Sequence, residues 1–263
     1  MTGRVAGKSV IVFGAGSVGT GLGNGKAAAV TYAREGAAVL CVDRDPAAAL
    51  ETVAEAGHNA VPFAADVTRP DEVAAAVAEA KARFGGLDVV HFNVGISAPG
   101  GVVDQSPEDW ARVFAVNLDA AFHVARAAIP AMRERGGGAF VFISSVAAIR
   151  SGGYAYASYE ASKAALNRLS RTIAATHAAE GIRSNVVMPG LIDTPHVTAM
   201  VAGRVTSAAD LSARRAAAPP MKRQGSAWDV AEAALYLASD AAGYVTGAEL
   251  VVDGGLSLMA PAA

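Results

Sequence analysis

Short runs of hydrophobic residues alternate along the chain with longer segments rich in alanine. Seven of these runs are rich in Val, Ile and Phe and lie at 9–13, 38–42, 60–63, 87–92, 139–144, 183–188 and 249–252. Strands that are apolar at almost every position are buried on both faces, and strands separated by helices are joined in parallel by right-handed crossovers. The pattern therefore predicts an α/β fold, a doubly wound parallel sheet of about seven strands with helices on both faces.

Three short motifs indicate where helices begin. Asp45 and Ser106 each stand directly before a proline, and Thr68 is followed three residues later by Asp71. A side-chain oxygen at such a position accepts a hydrogen bond from a free N–H of the first helical turn. We therefore expect helices to start just after each of these three residues.

No linker or repeat interrupts the alternation, so residues 1–263 are expected to form a single domain. The exception is the segment 193–221, which has Pro195, Pro219 and Pro220 near its ends and no consistent helix or strand pattern. A long segment without a strand is often functional. We expect this one to form a lid over a binding site.

The composition limits the classes of partner. The formal net charge is -2 and only 17% of the residues are charged, without the basic cluster that binds nucleic acid. Glycines break the uncharged stretches before they reach the length that spans a bilayer, and no basic and apolar leader signals export. The lone Cys41 excludes an intrachain disulfide. We expect a cytoplasmic protein that binds a small molecule, with neither a nucleic acid nor a membrane as partner.

The first predicted strand is followed by a turn, 14–25, that has glycine at almost every second position, and then by a predicted helix, 26–35. Glycines permit positive φ and let the backbone approach a pyrophosphate, which then lies on the amides at the positive end of the helix. Two overlapping glycine patterns are present, one at Gly14, Gly16 and Gly19 and the other at Gly19, Gly23 and Gly25. The sequence leaves open which of these glycines contact the phosphates. Strand, turn and helix in this order predict a Rossmann-type dinucleotide site.

An acidic residue at the end of the second predicted strand indicates which dinucleotide binds. The carboxylate of Asp43 can accept hydrogen bonds from both hydroxyls of an adenosine ribose and would repel a 2′-phosphate. The sequence therefore favours NAD over NADP. The neighbouring Arg44 keeps NADP open, because an arginine can pair with that phosphate.

A tyrosine and a lysine lie four residues apart in a helix-forming stretch, at Tyr159 and Lys163, so both project from one face of the helix. A free tyrosine titrates near pH 10, and a base that works near neutrality needs its pKa lowered by about 3 units. The lysine cation and the positive ring of an oxidised nicotinamide can supply this shift in a partly desolvated cleft. Ser145 follows the fifth predicted strand at the carboxyl edge of the sheet, where open α/β folds bind ligands.

Taken together, these motifs make the sequence similar to the short-chain dehydrogenase/reductase family over essentially its whole length. The matching residues are the glycine-rich turn, Asp66 and Val67 after the third strand, Asn93 and Gly95 after the fourth, Asn117, Ser145, Tyr159, Lys163, the segment 189–194 and the segment 252–255. The resemblance implies that a hydride passes directly between a nicotinamide and the substrate carbon.

The resemblance also implies catalytic roles. Tyr159 would be the general acid and base that exchanges a proton with the substrate oxygen, and Lys163 would lower the pKa of Tyr159 and bond the nicotinamide ribose. Ser145 would donate a hydrogen bond to the substrate oxygen, with Ser144 as a minor alternative. Asn117 would hold a water that links Lys163 to bulk solvent.

The remaining matched residues would bind the cofactor. Asp66 and Val67 would flank the adenine, while Asn93 and Gly95 would form the floor of the groove. Ile192 and Thr194 would contact the carboxamide. The full set of expected cofactor contacts is Gly14, Gly16, Gly19, Gly23, Asn24, Gly25, Asp43, Arg44, Asp66, Val67, Asn93, Gly95, Tyr159, Lys163, Pro189, Gly190, Ile192 and Thr194.

The chain departs from the family pattern at three places. The glycine-rich turn has about five extra residues, and an aromatic residue, Phe92, replaces one polar residue before Asn93. Ser145 precedes Tyr159 by 14 residues, one more than the commonest spacing, which we expect the loop 150–157 to absorb.

Two other classes of protein share part of this pattern. A methyltransferase also holds an adenosine with a glycine-rich turn and an acidic strand end, but it would have no use for the serine, tyrosine and lysine together. A catalytically inactive dinucleotide sensor would keep the groove and lose these three residues. Within the family, an NADPH-dependent 3-oxoacyl or other ketoreductase is the alternative. Tyr154 and Tyr156 lack a lysine four residues later, and the five histidines have no metal-ligand spacing, so no metal is expected. His196 is more typical of a solvated loop than of a substrate contact.

Small residues recur along the helix that follows Tyr159, at Ala161, Ala164, Ala165, Ala174 and Ala175. In the family this helix commonly packs across a subunit interface. By this analogy we expect a homotetramer.

Overall fold

A computed structural model describes residues 3–19, 21–151, 155–195 and 208–259 of the chain. Its main feature is a parallel sheet of seven strands in the spatial order β3-β2-β1-β4-β5-β6-β9. The strands are β1 Ser9–Phe13, β2 Ala38–Asp43, β3 Ala60–Ala64, β4 Val89–Phe92, β5 Gly138–Ile143, β6 Ile182–Pro189 and β9 Glu249–Val252. All seven predicted strands are confirmed, with ends that differ by at most two residues.

Helices cover both faces of the sheet. They are α1 Asn24–Arg34, α2 Pro46–Ala56, α3 Pro70–Phe84, α4 Pro107–Phe114, α5 Ala120–Glu134, α6 Ala157–His177, α7 Ala208–Ala217 and α8 Ala227–Ala238. A π-helical turn, Ala115–Asp119, joins α4 to α5, so 107–134 is one continuous helical region.

Two hydrophobic cores lie on opposite sides of the sheet. The first packs α3, α5 and α6 against one face and includes Phe92, Phe140 and Phe142. The second packs α1 and α8 against the other face and includes Val12 and Val141. Neighbouring positions of one strand point to opposite cores, which explains why these strands are apolar throughout. The predicted fold class is thereby confirmed.

The helix-start predictions were right at two places and wrong at one. The Asp45 side chain accepts a hydrogen bond from Ala47 N at 3.0 Å, and the Ser106 hydroxyl accepts one from Asp109 N at 3.0 Å. Thr68 does not cap α3, because the helix begins at Pro70. Its hydroxyl instead donates to Asp66 Oδ1 at 2.7 Å, and Arg69 occupies the capping position.

A second, very short sheet was not predicted from the sequence. It pairs β7, Ile192–Asp193, in parallel with β8, Gly225–Ser226. Two-residue strands leave no periodic signal. The segment 193–221, to which no element was assigned from the sequence, therefore begins at the end of β7 and contains α7. Residues 196–207 of the expected lid, including His196, lie outside the described residues.

The order of the strands determines where a ligand can bind. Connections from β1 lead to β2 and β3 on one side, and the chain then crosses back to β4 on the other side of β1. The loops after β1 and β4 therefore diverge and leave a crevice at the carboxyl edge of the sheet, as is general for open α/β folds.

Candidate active site

The extra residues of the glycine-rich turn lie between two crevice-lining residues, Ser17 and Gly23, that are close in space. A Cβ built at Gly23 would lie 3.0 Å from Ser17 Oγ and 3.6 Å from Ser17 Cα, so the two ends of the extra segment, 18–22, are in contact. The ordinary part of the turn is thus formed by 14–17 and 23–25. The extra residues 18–22, of which residue 20 lies outside the described part of the chain, are called the side loop, and its Gly21 packs against the ring of Pro195.

This geometry separates the glycines that the sequence left undecided. Gly14, Gly16 and Gly23 line the crevice, whereas Gly19 does not. A Cβ built at Gly19 would have no neighbouring atom within 4 Å. Gly25 lies behind the crevice, where a Cβ would be 1.8 Å from Gly14 O, so only glycine permits the close approach of α1 to the end of β1.

One end of the crevice is acidic and is held by backbone amides. Asp43 Oδ2 accepts a hydrogen bond from Gly16 N at 2.9 Å, and its Oδ1 accepts one from Asp45 N at 3.0 Å. The carboxylate therefore ties the end of β2 to the glycine-rich turn and still has lone pairs directed to the crevice that it lines.

Asp66 and Val67 lie beside Asp43 on the same side of the crevice. The hydroxyl and the N–H of Thr68 donate to Asp66 and hold the pKa of its carboxyl below the ordinary value, and the nearby charges of Arg44 and Arg69 act in the same direction. The positive charge of Arg44 is thus partly balanced by Asp66.

The floor of the crevice follows β4. Asn93 Nδ2 donates to Gly14 O at 3.1 Å and so joins the segment after β4 to the glycine-rich turn. Gly95 lies against the amine of Lys163, and a Cβ at this position would be 2.9 Å from Lys163 Nζ. The glycine therefore provides the room that the lysine side chain occupies.

Lys163 projects from α6 into the crevice and is almost completely buried. Its Nζ donates to Ile143 O at the end of β5, at 2.9 Å, and lies 5.9 Å from the centre of the Tyr159 ring. Burial lowers the pKa of Lys163 to about 8. The amine is still mostly charged at neutral pH.

Tyr159 stands one turn before Lys163 and lines the same crevice. Burial of the phenol raises its pKa, and a hydrogen bond with Ser145 partly opposes the rise. The direction differs from the lowered pKa expected from sequence. The reason is that desolvation penalises the phenolate more than the Ser145 hydrogen bond favours it.

The structure distinguishes the two candidate serines. The Ser145 hydroxyl accepts from Ala147 N at 3.1 Å and contacts the phenol of Tyr159. The hydroxyl of Ser144 points away and donates to the backbone oxygen of Lys163 at 3.2 Å. The geometry therefore favours Ser145 as the hydroxyl beside Tyr159, despite the unusual spacing in sequence.

Asn117 is buried in the π-helical turn, behind the crevice rather than in its lining. Its Oδ1 accepts from Ile96 N at 2.8 Å, and its Nδ2 donates to Ile96 O at 2.9 Å and to Ser162 Oγ at 3.0 Å. Its side chain thus joins the segment after β4 to α6, one residue from Lys163.

The other wall of the crevice comes from the segment after β6. Pro189, Gly190, Ile192 and Thr194 all line it, and Thr194 is largely buried. A Cβ at Gly190 would lie 2.5 Å from Asp253 Cβ, so this glycine permits the contact between the ends of β6 and β9.

The crevice has a volume of about 550 Å³ and joins the acidic end to the tyrosine and lysine. Several of its lining residues were missed by the sequence analysis: Ser17, Val18, Val94, Ile96, Arg112, Val116, Ala147, Tyr156, Glu160, Leu191 and Arg215. Ser17, Val18, Val94, Glu160 and Leu191 lie within motifs of the sequence, beside residues that were expected to bind, so a signal was available for them. Ile96, Arg112, Val116 and Ala147 lie in loops and helices without a motif. Tyr154 lies outside the described residues.

The residues present fit a dinucleotide. Ser17 Oγ and Asn24 Oδ1 are buried at the start of α1 without a hydrogen-bond partner in the described chain. Both flank Gly16 and Gly23, where the absence of a Cβ leaves the backbone open to a ligand. Polar groups, an uncapped helix N-terminus and Asp43 at one end match pyrophosphate and ribose chemistry.

The described residues contain neither a metal cluster nor a membrane-spanning helix. No group of three or more His, Cys, Asp or Glu side chains is arranged to hold a metal ion. None of the helices described is both long enough and apolar enough to cross a membrane.

His91, the one fully buried histidine of the described part, contacts Tyr32 OH through Nδ1 at 3.1 Å, and burial lowers its pKa to about 3.

Comparison with known proteins agrees with this geometry. A family model described as Enoyl-(Acyl carrier protein) reductase, which belongs to the short-chain dehydrogenases, matches residues 19–257. The chain is 38% identical to 2-(S)-hydroxypropyl-CoM dehydrogenase 3 of Xanthobacter autotrophicus, over 91% of this chain and 94% of the relative. It is 40% identical to cis-4-hydroxycyclohexanecarboxylate dehydrogenase of Sinomonas cyclohexanicum, over 90% of this chain and 93% of the relative.

A solved structure supports the same conclusion. A short-chain dehydrogenase/reductase from Burkholderia xenovorans superposes with a TM-score of 0.94 at 43% identity and covers 98% of this chain and 100% of its own. The chain therefore belongs to the short-chain dehydrogenase/reductase family, whose dehydrogenases use a nicotinamide cofactor, NAD or NADP.

Proposed function

We propose that the protein is an NAD-dependent oxidoreductase that interconverts a secondary alcohol and a ketone, with Tyr159 as the general acid and base. The observation that carries the proposal is the cluster of Ser145, Tyr159 and Lys163 in one crevice with the glycine-rich turn. A hydroxyl in contact with a phenol, and a buried amine 5.9 Å from the phenol ring centre, can hold a carbonyl oxygen and exchange a proton with it.

In the proposed reaction, the substrate oxygen lies between the hydroxyls of Ser145 and Tyr159. Ser145 donates a hydrogen bond that orients the oxygen and stabilises the charge that develops on it. In the direction of reduction, the Tyr159 phenol gives its proton to this oxygen. The raised pKa of the phenol suits this step, because it keeps the proton on Tyr159 at neutral pH.

In the direction of oxidation, Tyr159 must accept the proton of an alcohol, and the phenolate then needs nearby positive charge. The amine of Lys163, 5.9 Å from the ring centre, provides part of it. When bound, the nicotinamide accepts or supplies the hydride and, in its oxidised form, adds a second positive charge. Ile143 O fixes the amine through a hydrogen bond of 2.9 Å.

The coenzyme preference rests on the acidic end of the crevice. Asp43 lines this end of the crevice, where its carboxylate would accept hydrogen bonds from the ribose hydroxyls and its charge would oppose a 2′-phosphate. Arg44, the residue that left NADP open, is near Asp66, which partly balances its charge. The N–H groups of α1 with Ser17 and Asn24 would hold the pyrophosphate.

The names of the two relatives guide the choice of substrates. Both are dehydrogenases of hydroxy compounds, one of them with a cyclohexane ring. We propose a small secondary alcohol or its ketone as the substrate class. The description of the family model adds acyl thioesters to the compounds that need testing, in line with the NADPH-dependent ketoreductase alternative.

We also propose a cytoplasmic homotetramer, as is usual in the family. On α6, Ala164 and Ala175 are exposed, whereas Ala174 is buried inside the subunit. Phe122 of α5 is 49% exposed. Exposed small side chains let a second subunit approach closely, and the exposed Phe122 ring would be buried by it. Sedimentation velocity tests the assembly.

The proposed function is tested by the absorbance of reduced nicotinamide. A panel of secondary alcohols, cyclic hydroxy acids, ketones and 3-oxoacyl thioesters is assayed with NAD, NADH, NADP and NADPH. We expect turnover of a secondary alcohol or ketone with the NAD couple, and Tyr159→Phe should abolish it while NADH binding stays within a few-fold. Full activity of Tyr159→Phe would refute the assignment of the base.

A further inference from the structure

The helix that carries Tyr159 has no cap of its own. α6 begins at Ala157, and the side chain of Tyr156, at the capping position, makes no hydrogen bond to the first turn. The first N–H groups of a helix have no acceptor within the helix and must find one elsewhere. Because Tyr159 is the third residue of α6, its position depends on how this turn is held.

Gln105 provides the missing acceptor from a distant part of the chain. Its Oε1 accepts a hydrogen bond from Ser158 N at 3.1 Å, and its Nε2 donates to Ala98 O at 3.0 Å. One side chain thus connects the residue before Tyr159 to the segment that follows β4. Both polar ends of the amide are used.

The residues around Gln105 form a tight turn, 100–105, in which Gln105 N donates to Gly101 O at 3.0 Å. Gly100 N donates to Ala155 O at 2.9 Å, and Ala157 N donates to Gly100 O at 3.2 Å. The side-chain bond of Gln105 extends this pairing by one residue. The 100–105 turn is therefore bonded to the chain on both sides of the start of α6.

A second set of bonds holds Tyr159 from behind. Ser162 Oγ donates to Tyr159 O at 2.9 Å and accepts from Asn117 Nδ2 at 3.0 Å. Asn117 is bonded to both backbone groups of Ile96, two residues before Ala98. The same short segment after β4 thus anchors the first turn of α6 through two amide side chains. Gln105 bonds Ser158, the residue before Tyr159, and Asn117 bonds Ser162, three residues after it.

We propose that Gln105 is a positioning residue for Tyr159, whose amide replaces the N-cap of α6 and keeps the phenol in contact with the Ser145 hydroxyl. The inference rests on the proposed function of Tyr159. A side-chain cap at a helix N-terminus restrains the first turn. A small displacement of a proton-transferring group is costly for the reaction, because the group must stay within hydrogen-bond distance of the substrate oxygen.

Two substitutions of similar size separate the hydrogen bonds from packing. Gln105→Met keeps the length of the side chain and removes both hydrogen bonds. Gln105→Glu keeps an acceptor for Ser158 N, with a negative charge that is favourable at a helix N-terminus, and replaces the donor to Ala98 O by a second oxygen that repels this carbonyl. Steady-state kinetics, coenzyme binding and the pH profile of kcat are measured for wild type and both variants.

We expect Gln105→Met to lower kcat about tenfold, with the Kd of NADH within twofold of wild type. Because the Ser145 contact lowers the pKa of Tyr159, loss of alignment should move the pKa that controls oxidation upward. Gln105→Glu should recover most of kcat and the wild-type pH profile. A role in folding alone would move neither the pH profile nor the ratio of kcat to coenzyme affinity.

The outcomes distinguish the two proposals. If the wild type has no dehydrogenase activity with any coenzyme, the proposed function fails first. If the wild type is active and Gln105→Met has the same kcat and pH profile, the positioning role is refuted. If Gln105→Met does not fold, Gln105→Glu decides, and a tenfold loss of kcat in that folded variant would overturn the capping role.

Discussion

The backbone of Gly95 lies against the amine of Lys163, and a Cβ at position 95 would be 2.9 Å from Nζ and 3.3 Å from Cε. The amine is held on its other side by Ile143 O at 2.9 Å. It is therefore enclosed between the ends of two neighbouring strands, β4 and β5. The position of this charge beside Tyr159 depends on a missing methyl group in the floor of the crevice.

Gly95→Ala should disturb the active site more than the fold. Real Cβ atoms essentially never approach another heavy atom to 2.9 Å, and the lysine, which is packed on both sides, must shift away from Tyr159. We expect kcat to fall by roughly 10²-fold with a melting temperature within a few degrees of wild type. Steady-state kinetics and thermal unfolding check this. Unchanged kcat would show that Lys163 has room to adapt.

The strands and the catalytic pair could be predicted because their signals are local. Continuous apolar runs identify buried parallel strands, and the spacing of Tyr159 and Lys163 puts both on one face of a helix whatever surrounds it. The sign of the pKa shift of Tyr159 could not be predicted in the same way. It depends on how much of the phenol is desolvated, which only the packing around it determines.

Other features had no local signal at all. The cap of α6 comes from Gln105, 53 residues from Ser158, so no capping motif precedes the helix. Ser145 was preferred from its match to the family, with Ser144 as a minor alternative, and the fold turns Ser144 to the α6 backbone and Ser145 to Tyr159. Long-range hydrogen bonds of this kind appear once the elements are packed.

Asp43 should control the choice between NAD and NADP. Asp43→Asn keeps an acceptor for the amide of Gly16 or Asp45 and removes the charge that opposes a 2′-phosphate. We expect the ratio of kcat/KM with NAD to kcat/KM with NADP to fall by roughly tenfold, which corresponds to about 1.4 kcal/mol. Kinetics with both coenzymes measure the ratio. A wild type that prefers NADP would contradict the ribose argument.

Lys163 should lower the stability of the protein at neutral pH. Burial lowers its pKa to about 8, against about 10.4 in an unfolded chain. The folded pKa is depressed, so the contribution of this group to stability is full above pH 10.4 and is lost as the pH falls through 8. The buried charge then costs on the order of 3 kcal/mol at pH 7.

Lys163→Met removes this charge, so the variant should gain free energy of unfolding relative to wild type at pH 7 and lose that gain at pH 10. Turnover should be lost in the same variant. Urea unfolding of both proteins at the two pH values gives the difference directly. Groups that titrate equally in both proteins cancel. A stability difference that is the same at both pH values would show that Lys163 is not desolvated as described.

The side loop 18–22 should be dispensable for folding and for coenzyme binding. Its ends, Ser17 and Gly23, are in contact, since a Cβ built at Gly23 would lie 3.0 Å from Ser17 Oγ and 3.6 Å from Ser17 Cα. Deleting 18–22 restores a turn of ordinary length, and Gly16, Gly23 and the start of α1 keep their places.

We expect the deletion variant to fold with a melting temperature within about 5 °C of wild type, since short surface loops contribute little to the core. Calorimetric titration with NADH should give a Kd within a few-fold of wild type. Gly21→Ala is the matched probe of the loop tip, because its Cβ would lie 2.7 Å from the ring of Pro195 and push away the segment that contains Thr194. The deletion lacks this clash, so Gly21→Ala should weaken NADH binding more than the deletion does. Loss of NADH binding in the deletion variant would instead show that Val18, which lines the crevice, holds the coenzyme.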